Sequence, residues 1–304
     1  VLLTLHGDVA MNYFLLRQLD AQITLLNETL ELRKNSVRIT SERFHAGLAS
    51  EVDLDLAHTQ VAQTKTLVSE TQRQRDDLQN ALALLCGQPA ATFHIEPGTL
   101  NENVPPVPVG LPSALLERRP DVAEAERKMA AANAQIGVAK AAYFPALTLT
   151  GNAGYSSFHA SSLLNWESQL FQIGPAVTLP IFNGGRLKSE LKQVRASYQA
   201  TCGAYQQQVL MAFKDVSDSL VDLNSYNDQA ASEADAVDAA NRAANLSLER
   251  YKRGLINYLD VLDAERTQLE TQSKAIQIHA LQLVSTVHLI KALGGGFEQN
   301  SPLK

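Results

Sequence analysis

The chain has 304 residues, 45% hydrophobic and 19% charged, with 26 Lys and Arg against 32 Asp and Glu for a formal net charge of −6. That balance excludes a disordered chain, and with no dense basic tract it disfavours binding to a nucleic-acid backbone. No run of 18 or more residues is apolar throughout, so no transmembrane helix is expected.

Ten of the 11 prolines lie between Pro89 and Pro180, and the last is Pro302. Proline removes a helical donor and clashes with the preceding turn. Residues 1–88 and 181–301 never meet it before the tail and are rich in Ala, Leu, Gln, Glu, Arg and Lys, all good helix formers. An all-β fold, or an α/β fold with regularly alternating strands, is disfavoured.

In chain order, Val1-Leu2-Leu3-Thr4-Leu5 has no initiator Met, basic n-region or small-residue cleavage site. Thr4 to Arg43 reads as one helix, and a chain that starts inside a helix is expected to be part of a longer one. Gly47 ends that helix in a left-handed cap. Ser50 then caps the next helix, with Asp53 at its third position facing the positive end of the dipole. That helix runs to Gly87.

Residues 89–112 read as an extended Pro-rich linker. A helix follows from about Pro120, with Asp121, Glu124 and Glu126 suiting its start, and stops near Tyr143 ahead of Pro145. Leu147, Leu149 and Gly151 then alternate with Thr148, Thr150 and Asn152. A second run alternates Phe171, Ile173, Val177, Leu179 and Ile181 with Gln172, Gly174, Ala176, Thr178 and Pro180. Ser156, Ser157, Ser161, Ser162 and Asn165 form a polar turn between them. This pattern predicts a β-hairpin with one apolar and one small-polar face. The apolar face would cover a core in a soluble protein, or meet lipid in an outer-membrane barrel.

From Leu187 to Arg250, 64 residues hold no Pro and only Gly203. As one helix they would extend roughly 95 Å at 1.5 Å per residue, a length suited to coiled-coil bundles. Gly254 then ends this helix, Asn257 caps the last one, and Asp260 stands where Asp53 stood.

The second junction repeats the first. Arg43-Phe44-His45-Ala46-Gly47-Leu48 returns as Arg250-Tyr251-Lys252-Arg253-Gly254-Leu255, an offset of 207 that also aligns Thr64 with Thr271, Leu82 with Leu289 and Gly87 with Gly294. Upstream of each copy every seventh residue is apolar: Val9, Leu16, Ile23, Leu30, Val37 and Phe44, then Val216, Leu223, Ala230, Val237, Ala244 and Tyr251. A heptad period is the seam of a left-handed coiled coil. The pattern predicts an internal duplication in a mainly α fold of long antiparallel helices.

Arg118-Arg119-Pro120-Asp121-Val122, the Ala-rich helix, Ala142-Tyr143-Phe144-Pro145, Leu179-Pro180-Ile181-Phe182-Asn183-Gly184-Gly185-Arg186-Leu187 and Tyr258-Leu259-Asp260-Val261-Leu262-Asp263 together resemble the outer membrane efflux factor family. These are the TolC-like channels, with the NodT lipoprotein branch the nearest in look. The resemblance covers almost the whole chain. It implies a homotrimer in the outer membrane, in contact with its lipid. Hairpins would form one shared β-barrel there, and long helices an α-barrel tunnel in the periplasm. It further implies docking to a periplasmic adaptor (membrane fusion) protein and an inner-membrane efflux pump of the RND type, export of drugs or other solutes, no enzyme activity, no cofactor and no nucleic-acid partner. The chain then divides into a first-repeat helical pair (1–88), a linker (89–119), a helix (120–145), the hairpin (146–182), a second-repeat helical pair (183–296) and a tail (297–304). Moved back by 207 residues, the 147–181 hairpin would precede Val1. A missing first hairpin, signal peptide and lipid-attachment Cys are therefore expected upstream.

The resemblance also places a periplasmic gate at Leu259, Asp260 and Asp263. Two aspartates three apart share a helix face and would stack as charged rings in a three-fold assembly. Asp53 and Tyr251 match positions that tie the helix pairs together in a closed state. Gly47, Ser50, Gly254 and Asn257 form the helix-turn-helix junctions, and Pro180, Gly184 and Gly185 the strand-to-helix junction. The plainer alternative makes Asp260 a helix-start carboxylate and Asp263 a solvated residue. A soluble periplasmic coiled-coil adaptor or structural protein is the rival function, although an adaptor would normally carry one helical hairpin. Cys86 and Cys202 lack metal-ligand spacing, His279 and His288 lie nine apart, and Gly184-Gly185 is no phosphate loop. No metal site is expected. Arg118 and Arg119 mark the linker-to-helix corner.

Overall fold

A computed structural model of the chain describes residues 1–100 and 119–295. The Pro-rich linker from 101 to 118, Arg118 included, and the 297–304 tail lie outside these residues. Among the described residues five α-helices and one hairpin follow in order: α1 (Leu2–His45), α2 (Glu51–Leu85), α3 (Pro120–Ala141), β1 (Ala146–Tyr155), β2 (Gln169–Thr178), α4 (Arg186–Lys252) and α5 (Tyr258–Ala292). No described helix is long and apolar enough to cross a membrane. The chain groups into two compact units, one of residues 1–119 and 213–304 and one of residues 120–212.

In the first unit α1 packs on α2 and on α5. None of the twelve heptad residues named above is exposed; Leu16, Ala244 and Tyr251 are buried and the rest half-buried. Their burial explains why helices this long stay folded, since packing of an apolar seam outweighs local propensity. Polar pairs fix the antiparallel register. Arg33 on α1 donates to Thr64 on α2 at 2.6 Å, and Arg75 on α2 donates to Asp20 on α1. Along α5, Gln268 donates to Asn241 of α4 at 2.9 Å and, two heptads on, Gln282 donates to Asn227 at 2.8 Å.

The helix bounds themselves recur. His45 ends α1 and Lys252 ends α4; Glu51–Leu85 bounds α2 and Tyr258–Ala292 bounds α5. Each later bound is the earlier one plus 207. Gly47 and Gly254 adopt φ of 74° and 75°. Both turns close by the same two bonds, Gly47 to Phe44 and Leu48 to Arg43, then Gly254 to Tyr251 and Leu255 to Arg250. This is a Schellman cap, which needs a left-handed residue that glycine supplies at least cost. Gly87 and Gly294 close the ends of α2 and α5 by the same pattern.

The second unit holds α3, the hairpin and the first part of α4. Gln208 of α4 donates to the Asp121 carboxylate of α3 at 2.7 Å. β1 and β2 pair antiparallel over ten residues, from Ala146 with Thr178 to Tyr155 with Gln169. This register puts Leu147 opposite Val177, Gly151 opposite Ile173 and Ala153 opposite Phe171 on one face, and Thr148 opposite Ala176 and Thr150 opposite Gly174 on the other. β2 stops at Thr178, short of the expected alternation through Leu179 and Ile181. Pro180, which lacks a ladder donor, accounts for the stop. Two left-handed glycines, Gly184 (φ 61°) and Gly185 (φ 86°), then turn the chain into α4.

Candidate functional site

The two helix-turn-helix junctions and the start of α5 carry Leu259, Asp260, Asp263, Asp53, Tyr251, Gly47, Ser50, Gly254 and Asn257, while Pro180, Gly184 and Gly185 stand apart at the start of α4. At the first turn the Asp53 N–H donates to Ser50 Oγ at 3.1 Å, and the Ser50 N–H donates back to Asp53 Oδ2 at 3.2 Å. At the second turn the Asn257 N–H donates to Asp260 Oδ2, also at 3.2 Å. Asp53 and Asp260 therefore do the same local job, satisfying donors that a helix N-terminus otherwise leaves orphaned.

Leu259 is 58% exposed, and Asp260 and Asp263 are exposed beside it. A spacing of one and four residues places all three on one side of α5. Asp260 thus combines the helix-start role with a position on the exposed face, and its carboxylate is held at a fixed height by Asn257. Asp263 lies one turn further on.

Behind this face, Tyr251, Tyr258, Val261, Ile39 and Ala57 form a buried cluster that joins all four helices of the first unit. The Tyr251 and Tyr258 rings sit 5.4 Å apart. Tyr251 is 3% exposed, and its hydroxyl donates to Thr40 Oγ1 on α1 at 3.5 Å. Tyr251 therefore faces α1, while the Asp53 carboxylate turns to its own helix cap; the two stand at different junctions and on different partners.

Sequence reasoning missed several residues here. Arg43 donates to the Lys252 carbonyl at 3.0 Å and to the Leu48 carbonyl at 3.4 Å, with its guanidinium 4.9 Å from the Tyr251 ring centroid. One side chain thus caps the end of α4, ties down the turn after α1 and covers the tyrosine, a contact suited to arginine. Its place at the head of the repeated Arg-aromatic segment was the available signal. Two turns below the tip, Ser36 on α1 donates to Glu265 on α5 at 3.0 Å. Burial raises the Glu265 carboxyl above the ordinary range, against the Ser36 bond and the Arg33 charge, which lower it. Burial likewise lowers Arg33 and, with Glu265 nearby, pushes the Tyr258 hydroxyl well up. No local pattern marks the contacts of Ser36 and Arg33 with Glu265, which join residues more than 200 apart. At the opposite end Arg119, 8% exposed, donates to the Ala292 carbonyl at 3.1 Å and to Asp215 at 2.9 Å, so the corner arginine caps α5.

A family model described as outer membrane efflux protein matches residues 1–88 and 111–295. The chain is 36% identical over 305 residues to the solvent efflux pump outer membrane protein SrpC of Pseudomonas putida, covering 98% of this chain and 63% of that protein. It is 32% identical over 298 residues to the cation efflux system protein CusC of Escherichia coli, covering 97% of this chain and 64% of that one. The chain thus spans less than two thirds of these relatives' length. Among solved structures, the open state of the Neisseria gonorrhoeae MtrE outer membrane channel superposes with a TM-score of 0.79 at 31% identity, over 97% of this chain and 66% of that one.

Proposed function

Since the chain belongs to the outer membrane efflux protein family, we propose that it forms part of the wall of an outer-membrane exit duct, the last component of a tripartite efflux system. Its hairpin lies in the outer membrane and its long helices line a periplasmic tunnel. Three protomers assemble about a shared axis, and in each this hairpin and these helices supply part of the two barrels. A periplasmic adaptor and an inner-membrane pump of the RND type feed solute into the tunnel, and the chain carries out no chemistry on it. Relatives named for solvent and for cation efflux support a duct that passes solutes of several classes, with selection residing upstream.

The observation that carries this reading is the hairpin. Leu147, Leu149, Phe171, Ile173 and Val177 share one face and are 62–79% exposed. An apolar sheet face of this kind calls for a nonaqueous partner. Ten residues at about 3.3 Å each, tilted by about 40°, climb about 25 Å, the height of a barrel's apolar band. Tyr155, Phe158 and Trp166 gather at the turn end of the hairpin and Phe144 and Phe182 at its base, all exposed, which suits the aromatic girdles of such barrels.

At the periplasmic end, Leu259, Asp260 and Asp263 form the constriction. Three copies bring their carboxylates into stacked rings that attract cations and repel one another. Tyr251, with Arg43 over its ring, holds α4 against α1 in the closed arrangement. The test is planar-bilayer recording of the trimeric protein with Asp260 and Asp263 both replaced by Ala. Single-channel conductance rises at neutral pH if the rings set the constriction; an unchanged conductance counts against them.

A further inference from the structure

Glu265 lies two residues beyond Asp263 but on the other side of α5, where it meets α1. One carboxylate oxygen accepts the Ser36 hydroxyl; the other, Oε2, is buried with no protein donor within bonding distance. Arg33, 5% exposed, is the nearby cation, yet its guanidinium is committed to α2. Its Nη1 donates to Thr64 Oγ1 at 2.6 Å and to the Gln60 carbonyl at 3.4 Å, and its Nε is likewise buried without an acceptor. Between them lies a cavity of about 100 Å³, lined by Arg33, Ser36, Glu265, Glu28, Asn245 and Leu248 among others. The opposite charges thus share a buried space without forming a hydrogen-bonded ion pair.

We infer that Glu265 is a pH-dependent positioning residue: the protonation state of its carboxyl sets how tightly the gate-bearing turns of α5 are held against α1. The link to a gate rests on the channel reading above; the change in helix spacing does not.

The charged and titratable groups around Glu265 decide the sign. From α1 come Arg33, which favours the ionised carboxylate, and Glu28, which opposes it. On α5 itself stands Tyr258, uncharged at neutral pH. α4 presents Ala244, Asn245 and Leu248, none titratable, and the α2 groups nearest Arg33 are Thr64 and the Gln60 carbonyl, both neutral. Desolvation outweighs the help from Ser36 and Arg33, so the folded carboxyl binds its proton more tightly than the unfolded one. Such a group contributes stability that is fully present below the ordinary carboxylate range and is lost as pH rises through the folded value. Acidification therefore tightens α5 on α1, and the neutral-pH carboxylate loosens it.

The experiment uses the full-length protein with spin labels at Lys34 on α1 and Arg266 on α5, both exposed, diluted into unlabelled protein. Distances are compared at about pH 8 and at about pH 4, below the ordinary carboxylate value. The wild-type distribution shortens and narrows on acidification, and Glu265→Gln shows the short form at both values. At about pH 8 the Glu265→Gln variant melts about 2–4 °C above wild type, with the difference vanishing at the acid value. Ser36→Ala, which removes the donor to the ionised form, moves the wild-type transition to higher pH. A wild-type distance that ignores pH, a Glu265→Gln variant that still responds, or one that melts below wild type at about pH 8 overturns the inference. A protein that fails to conduct while its α1–α5 distance still follows Glu265 refutes the duct and leaves the positioning role standing.

Discussion

Arg75 on α2 donates its Nε to Oδ1 of Asp20 on α1 at 2.6 Å, with 4% of Arg75 and 5% of Asp20 exposed. The other Asp20 oxygen accepts from Arg17 at 2.8 Å and from the Gly98 N–H at 3.1 Å. The two arginines also reach past Asp20, Arg75 to the Ile95 carbonyl and Arg17 to the Glu96 carbonyl, both at 2.7 Å. One buried carboxylate thus fixes the α1–α2 register and pins the chain that leaves α2.

Removing Asp20 leaves a buried guanidinium without its counter-charge, which costs about 3–5 kcal/mol. Asp20→Ala is therefore expected to lower the midpoint of urea unfolding sharply. Asp20→Leu combined with Arg75→Met recovers much of the loss, because an apolar pair is a fair substitute for a buried ion pair. If the double variant is less stable than Asp20→Ala, the pair is not what holds this register.

The turn glycines carry a backbone cost and no packing cost. A Cβ at Gly47 meets nothing within 4 Å, while φ is +74°. Gly47→Ala is expected to destabilise by about 1–2 kcal/mol, the cost of the left-handed region for an L-residue. Gly47→Asn costs less, since Asn tolerates that region. Thermal melts of the two variants check the order, and equal losses would point to a steric cause instead.

Tyr251 separates packing from hydrogen bonding. Its hydroxyl bond to Thr40 is long, at 3.5 Å, whereas its ring is central to the four-helix cluster. Tyr251→Phe is expected to cost under about 1 kcal/mol and to leave conductance close to wild type. Tyr251→Ala costs about 3–5 kcal/mol and raises conductance by freeing α4 from α1. A Phe variant as open as the Ala variant would move the closed-state role from the ring to the hydroxyl.

The sequence and the structure agree where the physics is local. Proline placement and left-handed glycines announce helix ends, so α2 and α5 were legible nearly to the residue. Strand alternation at Leu147, Leu149 and Ile173 likewise gave the faces of the hairpin. The polar contacts between helices were not legible. Asp20, Arg75, Arg33, Ser36 and Glu265 look like ordinary surface residues of amphipathic helices, and only the packing of α1 against α2 and α5 buries them. Asp53 shows the same limit from the other side. Its position three residues after Ser50 signalled a helix-start carboxylate, whereas the partner of Tyr251 depended on which side of α1 the turn met.

The central claim, a hairpin that meets lipid in a chain whose long helices line a duct, is tested most directly by spin labels on the two hairpin faces in outer-membrane vesicles. Labels at Leu149 and Ile173 are compared with labels at Thr148 and Thr150. The account predicts that the first two relax with oxygen dissolved in lipid and the second two with a water-soluble nickel complex. All four labels equally open to the nickel complex, or the Leu149 and Ile173 labels shielded from both reagents, would contradict it.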